Sequence, residues 1–161
     1  VYYRRGWTKE FLNDFDGALN DYNKAIEADP DYIYNYLARG TLLLNHFDPE
    51  EAIPDFKKVV EMQTQPHSSG NAKPFALLNL GREKEAINWM LNAVDKYPTN
   101  GNYYDLACLY SKTMQKDKAI DALKTAISKG YSAFTHMKND PGLENLKGDE
   151  RFEELVKKVC P

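Results

Sequence analysis

The chain has 161 residues, of which 42% are hydrophobic and 28% are charged, so its size suits one domain or one short array of repeats. Lysine and arginine are scattered among aspartate and glutamate to a net charge of −3, and no basic stripe indicates a nucleic-acid partner. No apolar run approaches the roughly 18 residues of a membrane-spanning helix, so we predict no membrane insertion.

The chain begins with VYYRRGWTKEF, in which no apolar core follows the arginines. This stretch therefore does not have the pattern of a secretory signal peptide. It has the pattern of a helix entered partway, and we expect the chain to be a fragment of a longer protein. The compartment stays open, with the cytoplasm slightly favoured.

A helical pattern begins near Ala18 and recurs along the chain. An alanine, a large residue four positions later and a small apolar residue three positions after that share one helical face. The alanines follow one another at steps of 34, 34 and 33 residues and are Ala18, Ala52, Ala86 and Ala119. The large residues are Tyr22, Phe56, Met90 and Leu123. The repetition predicts four similar helices, each with an apolar stripe that a neighbouring helix can approach closely.

Another helix is predicted before each of these four. Small residues stand at the same place in three of the preceding segments, namely Gly6, Gly40 and Ala107. A glycine inside a helix costs up to about 1 kcal/mol relative to alanine, and close packing of two helices is the usual compensation. Each repeat is therefore predicted to be a helix-turn-helix pair of about 34 residues that buries its apolar face against its neighbours.

Aspartate and proline mark the helix boundaries. Asp14 and Asp48 are predicted to cap the second helices of the first two repeats, and Pro49 suits a first helical position. Pro54 lies inside a predicted helix, where it removes a backbone hydrogen bond unless the helix kinks. In the third repeat Pro74 stands where a small residue is expected, so we predict that this helix starts late, near residue 71 or 72.

After Gly130 the period breaks, and a different pattern follows. Asp140-Pro141-Gly142 predicts a turn or a cap. Asp149 is predicted to cap a last helix over residues 150–159, whose apolar face comprises Phe152, Leu155, Val156 and Val159. We expect this tail to cover the exposed face of the last repeat, because solenoids need such ends to stay soluble.

The order of small residue, Ala-x3-large-x2-small and closing proline resembles the tetratricopeptide repeat. RGWTKEFLNDFDGALNDYNKAIEADPDY is a strong match, and the resemblance covers about residues 1–131. It implies an all-α fold, an α-solenoid of about four helix pairs in a right-handed superhelix, with C-terminal capping helices. The implied repeats span about 1–30, 31–65, 66–98 and 99–131, with a cap at 132–161. The DPGLENLKGDERF ending also resembles those that follow such repeats in many bacterial proteins, which favours a bacterial source.

The residue types that carry catalysis do not gather into a site. The three histidines fall in different parts of the chain without metal-ligand spacing. Cys108 lies in an apolar helical stretch, typical of a buried inert thiol, and Cys160 is next to the last residue. Glu50 and Glu51 stand at a helix start, where their negative charges interact favourably with the helix dipole. We predict no catalytic residues, no metal and no cofactor.

In the family that the chain resembles, the first helix of each repeat lines a concave groove that holds peptides. The groove positions carry over to Tyr3, Trp7 and Glu10 in the first repeat, to Tyr34, Leu37, Thr41 and Asn45 in the second, to Phe75 and Asn79 in the third, and to Tyr104, Cys108 and Lys112 in the fourth. This aromatic-rich lining predicts an extended or helical apolar segment of a partner protein. The basic pairs with which chaperone-binding members grip a C-terminal carboxylate are missing here.

Three alternatives stay open. Several of these aromatic residues could belong to the solenoid core or pack against a missing N-terminal repeat. The chain could be an accessory or regulatory domain of a larger multidomain protein whose activity lies upstream. It could also be a structural scaffold that stacks on itself as a homo-oligomer. The partner cannot be named from the sequence.

Overall fold

The structure, a computed structural model, describes residues 1–68 and 70–159, the last two of these by their backbone alone. All of the elements in this part of the chain are helices. In the order of the predicted repeats they are α1 (Tyr2–Phe11), α2 (Phe15–Ala28), α3 (Ile33–His46), α4 (Pro49–Met62), α5 (Lys73–Asn79), α6 (Glu83–Lys96), α7 (Asn100–Lys112) and α8 (Lys116–Ser128). The tail adds α9 (Phe134–Asn139), a 3₁₀ helix (Pro141–Leu146) and α10 (Glu150–Val159). The predicted all-α repeat fold is confirmed.

The contacts divide the chain into two compact units. The N-terminal unit comprises residues 1–64 and 79–81, and the C-terminal unit comprises residues 65–78 and 82–161. The finer division into four repeats and a separate cap stays a prediction. No helix in the described part of the chain combines the length and the apolar character that crossing a bilayer requires.

In the N-terminal unit, α1 packs on α2, α2 on α3 and α3 on α4. Ala18 and Ala52 are fully buried, as their spacing predicts. A methyl group added at Gly6 would lie 2.8 Å from a ring carbon of Tyr22, and one added at Gly40 would lie 3.0 Å from a ring carbon of Phe56. Glycine is therefore needed at both positions, because the large residue of each second helix sits directly against the first helix.

Two forked ion pairs recur at the same place in the first two repeats. The Arg5 guanidinium donates to both carboxylate oxygens of Asp21, at 2.7 and 2.6 Å. Arg39 donates in the same way to Asp55, at 2.8 and 2.7 Å. Both aspartates are buried, and bidentate pairing with arginine supplies the partners that a buried carboxylate needs. Because 34 residues separate Arg5 from Arg39 and Asp21 from Asp55, these pairs belong to the repeat.

The corresponding pair of positions carries other chemistry in the C-terminal unit. In the third repeat, Lys73 places its ammonium 4.5 Å from the centre of the Trp89 ring, a cation–π contact. In the fourth repeat the two positions hold Leu106 and Ala122, which are both buried. We call this pair of positions the interhelix slot.

Asparagine side chains link consecutive repeats within each unit. In the N-terminal unit, the Asn35 amide donates to the carbonyl oxygens of Ala25 and Asp29, both at 2.9 Å. In the C-terminal unit, the Asn102 amide donates to the carbonyl oxygen of Tyr97 at 2.9 Å and, more weakly, to that of Ala93 at 3.4 Å. In both cases the amide donates to carbonyl groups in the last turn and at the C-terminal end of the preceding helix, and so ties that end to the next repeat.

The predicted caps and the late start of the third repeat are confirmed. Asp14 accepts a hydrogen bond from the backbone N–H of Gly17, and Asp48 accepts one from that of Glu50. Helix α5 begins at Lys73 and has only seven residues, with Pro74 in its first turn, where a missing N–H costs little. Helix α4 runs continuously through Pro54.

The tail belongs to the C-terminal unit. The 3₁₀ helix packs on α7, and α10 packs on α8 and α9. Asp140 caps the 3₁₀ helix by accepting from the Gly142 N–H at 2.7 Å, and Asp149 accepts from the Arg151 N–H at the start of α10. The predicted helix over 150–159 is confirmed, with Phe152 and Val156 buried and Leu155 half-buried. The predicted contribution of Val159 lies outside the described side chains.

Candidate functional site

The outward side of α1 carries large apolar side chains that nothing covers among the described residues. Trp7 is 63% exposed, Phe11 78% and Leu12 68%. The Trp7 and Phe11 rings stack with their centres 6.4 Å apart. The two residues are four apart in a helix, which places their side chains one above the other on the same side. An exposed aromatic pair of this kind is typical of an interaction surface.

Four α1 side chains line a hollow beside this pair: Tyr3, Arg4, Trp7 and Thr8. The Tyr3 ring packs edge-on against Tyr32, with centres 5.7 Å apart. Burial raises the pKa of Tyr3, so its hydroxyl stays protonated. Within residues 1–68 and 70–159, that hydroxyl has no hydrogen-bond partner and the Arg4 guanidinium has neither a hydrogen bond nor an ion pair. The hollow thus combines an aromatic wall, a free hydroxyl and a free positive charge.

A second hollow lies at the N-terminal end of α1. It is bounded by the start of α1, the end of α2 and the start of α3, and its lining includes Tyr2, Tyr3, Asp29 and Asn35. The Asn35 amide in this hollow already binds two carbonyl groups of the α2 end. Tyr3 lines both hollows, and its hydroxyl has no hydrogen-bond partner in the described part of the chain.

The predicted groove residues of α3 lie at its surface to different degrees. Tyr34, Leu37 and Thr41 are half-buried, and Asn45 is exposed. The Tyr34 ring lies 5.5 Å from that of Tyr32, which extends the aromatic cluster from α1 towards α3. The Thr41 hydroxyl donates to the Leu37 carbonyl oxygen at 2.8 Å, so its hydrogen is used within the helix.

The other predicted groove residues differ in exposure. Phe75 is half-buried, and Asn79 and Lys112 are exposed. Glu10, in α1, is half-buried, and its carboxylate accepts the Tyr22 hydroxyl at 2.8 Å. Glu10 is therefore engaged inside its own repeat.

The prediction for Tyr104 and Cys108 needs a correction, because the chain's own tail covers both. Tyr104 is 6% exposed, and its hydroxyl donates to Asp140 at 2.6 Å. Its ring stacks on Tyr131, with centres 4.3 Å apart. Cys108 is 4% exposed and lies against Gly142. Neither side chain is open to a partner while the tail is in place.

Burial controls the ionisation of the groups under the tail. Desolvation, followed by the negative charge of Asp140, raises the pKa of Asp105 to about 7. The same two causes raise the pKa of the Cys108 thiol well above its usual value, so this cysteine is a neutral, buried group. This agrees with the predicted inert thiol. The prediction for Cys160 lies outside the described residues.

Two aromatic contacts near this surface involve residues outside the predicted groove. Phe11 is absent from the predicted groove, although its spacing of four from Trp7 places it on the same side of α1. His46 stacks on Phe15 at 3.7 Å between ring centres, a contact that joins α3 to α2. Within the described residues, no group of three or more histidine, cysteine or acidic side chains is arranged to hold a metal ion.

Comparison with known families and proteins agrees with the geometry. A family model described as tetratricopeptide repeat matches residues 1–32 and residues 101–128. A chloroplast protein of Arabidopsis thaliana is 32% identical over 81 residues. That alignment covers 48% of this chain and 24% of the plant protein, so the similarity concerns a part of a longer protein.

Two solved structures are similar over most of their length. The crystal structure of MamA is 25% identical, covers 95% of each chain and has a TM-score of 0.51. The crystal structure of TTC0263, a thermophilic repeat protein of Thermus thermophilus, is 14% identical and has a TM-score of 0.60, with 98% of this chain and 79% of that one covered. The second likeness concerns the fold alone.

Proposed function

We propose, from the premise that the chain is a tetratricopeptide repeat protein, that it holds a segment of a partner protein on the first helices of its repeats. Repeats of this family are protein-interaction modules, and the exposed surface of α1 has the composition of a binding surface. The proposal involves no catalysis and no cofactor. The partner is a protein or peptide, not a nucleic acid.

The observation that carries the proposal is the uncovered aromatic pair Trp7 and Phe11. Rings of this size supply large contact area at a small entropic cost, and tryptophan is enriched among residues that dominate binding energy. The half-buried Tyr3 lines the same hollow as Trp7 and would extend the contact. In the N-terminal unit the proposed surface comprises Tyr3, Trp7, Phe11, Tyr34, Leu37, Thr41 and Asn45. The sequence-based candidates Phe75 and Asn79 on α5 and Lys112 on α7 stay separate predictions.

The test is a peptide ligand selected from a library of unrelated sequences against the whole chain. Replacing Trp7 and Phe11 together with alanine should weaken that ligand by at least ~2 kcal/mol, roughly thirtyfold in affinity. The control is the replacement of Lys57 and Lys58 with alanine, because both lie exposed on α4. Equal affinity in the aromatic variant, with a loss in the lysine variant, would move the binding site to the charged outer surface.

A further inference from the structure

We propose that the hollow on α1 binds a partner segment in which an acidic residue is followed, three and six positions later, by leucines. This is the chemistry of the chain's own residues 140–146, Asp-Pro-Gly-Leu-Glu-Asn-Leu. The inference rests on the proposed function and specifies the partner for the same surface.

The chain already holds one such segment on a first helix, α7. Asp140 accepts the Tyr104 hydroxyl at 2.6 Å while it caps the 3₁₀ helix. Leu143 and Leu146 of that 3₁₀ helix are 1% and 0% exposed, and the helix packs on α7. A tyrosine hydroxyl for the carboxylate and an apolar helix surface for the leucines are therefore sufficient to seat this segment.

The hollow on α1 occupies the same repeat positions as the tail site on α7. Residues of the first and fourth repeats correspond at a distance of 101, as Ala18 does to Ala119. Tyr3 therefore stands where Tyr104 stands in α7. The Tyr104 hydroxyl is taken by Asp140, whereas the Tyr3 hydroxyl has no partner within the described chain.

The charge beside this tyrosine is reversed between the two helices. Asp105 follows Tyr104 and repels Asp140. Arg4 follows Tyr3, is exposed and has no partner in the described chain. A carboxylate placed on the α1 hollow would therefore meet a positive charge and a hydroxyl donor together, a combination that gives stronger hydrogen bonds than neutral groups do.

The acidic groups near the hollow already have partners of their own. The Glu10 carboxylate accepts the Tyr22 hydroxyl at 2.8 Å. Asp29, which lines the adjacent hollow, accepts the backbone N–H of Asp31 at 3.3 Å. Both carboxylates keep their negative charge, but neither lines the hollow on α1, where Arg4 is the charged side chain of the lining and sets the sign of the partner.

The two sites differ at a third pair of corresponding positions, which holds Trp7 on α1 and Cys108 on α7. Cys108 lets the tail approach so closely that a methyl group at Gly142 would lie 3.0 Å from its sulfur. Trp7 occupies that place on α1 and stands out into solvent, so the partner segment lies farther from the helix axis and against the indole ring. We therefore expect the α1 hollow to accept alanine in place of the glycine that the tail needs.

The experiment uses the whole chain and a labelled peptide with the sequence of residues 134–147, measured by fluorescence anisotropy. The peptide should bind, and changing its aspartate to asparagine should weaken binding about tenfold, as expected for a hydrogen bond to a charged group. That loss should be smaller in each of the variants Tyr3→Phe and Arg4→Ala, and it should shrink to less than about twofold in the double variant, which lacks both partners of the carboxylate. A peptide with alanine for glycine should bind as well as the parent peptide.

Two controls separate this site from others. Tyr104→Phe in the protein should leave peptide affinity unchanged; a loss there, with none in Tyr3→Phe, would show exchange with the tail on α7 and overturn the proposal. The thermal midpoint of each variant shows that it is folded.

The remaining outcomes are equally decisive. If library peptides bind through Trp7 and Phe11 but the acidic-leucine peptide does not, the partner chemistry is wrong and the proposed function stands. If neither binds, both fail. Self-association that grows with protein concentration and disappears in Arg4→Asp would assign the hollow to a second copy and overturn the assignment to a separate partner.

Discussion

Single residues hold the repeats together through partners that lie on other helices. Arg39 is the clearest case, because its guanidinium donates to Asp55 on α4 and, at 2.7 Å, to Asn23 on α2. One side chain on α3 thus joins three helices. Hydrogen bonding to Arg5 holds the pKa of the buried Asp21 well below its usual range, so the equivalent pair in the first repeat stays ionised at neutral pH.

Asp105 presents the opposite situation, and it makes stability depend on pH. Its pKa of about 7 in the folded chain lies above the ordinary aspartate value of about 4, so between these values the folded state binds more protons than the unfolded state. Stability therefore falls as pH rises through this window. Replacing Asp105 with asparagine should leave stability nearly unchanged at pH 4. At pH 8 the replacement should raise the free energy of unfolding by at least about 1 kcal/mol and so raise the thermal midpoint.

Thermal melts of the unmodified chain and of Asp105→Asn between pH 4 and pH 8 check this prediction. The matched control is Asp121→Asn, because Asp121 lies exposed on α8 and should change stability equally little at every pH. A gain of the same size at pH 4 and pH 8 would contradict the linkage to Asp105.

At the scale of the helix, the spacing of the buried alanines sets the distance between paired helices. The four alanines predicted at this position are all fully buried. They recur on the second helix of each repeat, whereas the glycines of α1 and α3 allow the large residues to sit against the first helix. The pairing therefore depends on small residues from both helices.

Replacing Ala52 with leucine should overpack the second repeat, because Ala52 is fully buried and α4 packs directly on α3. The expected loss is on the order of 1–3 kcal/mol in the free energy of unfolding, measured by urea denaturation. Lys58→Leu is the control, since that residue lies exposed on the same helix. An unchanged denaturation midpoint for Ala52→Leu would show that the alanine stripe does not face the partner helix.

The helices and their caps could be predicted because their signals are local. The apolar period, the aspartate caps and Pro74 each act within one or two turns of their own helix. The ion pairs of the interhelix slot were harder to predict, because charged residues on a helix are usually solvated. The one sequence signal for them is that Arg5 and Asp21 both recur 34 residues later, as Arg39 and Asp55. The covering of Tyr104 was missed for a related reason, since Asp140 lies 36 residues away and follows the last repeat.

At the scale of the whole molecule, the tail completes the C-terminal unit. Three short helical segments bring Met137, Leu143, Leu146 and Phe152 into buried positions, and each of these is at most 2% exposed. The segments cover part of α7 and part of α8. The tail is thus part of the packed core of the C-terminal unit.

Deleting all residues after Gly148 should uncover apolar surface on α8 and α9, because Phe152 and Val156 of α10 are buried in the intact chain. We expect lower solubility and a lower thermal midpoint, since a solenoid end without its polar outer layer exposes its core. Light scattering and thermal melts compare the truncated chain with the intact one. A truncated chain of equal solubility and stability would show that α10 has no capping role.

The interhelix slot has a consequence for how such repeats diverge. It is filled by an ion pair in the first two repeats, by a cation–π contact in the third and by Leu106 and Ala122 in the fourth. The geometry of the helix pair accepts each of these combinations, whereas mixing them would leave a buried charge without a partner. Across related sequences, the two positions would look unconstrained when each is considered alone. Their variation would be correlated, and the inherited unit would be the pair.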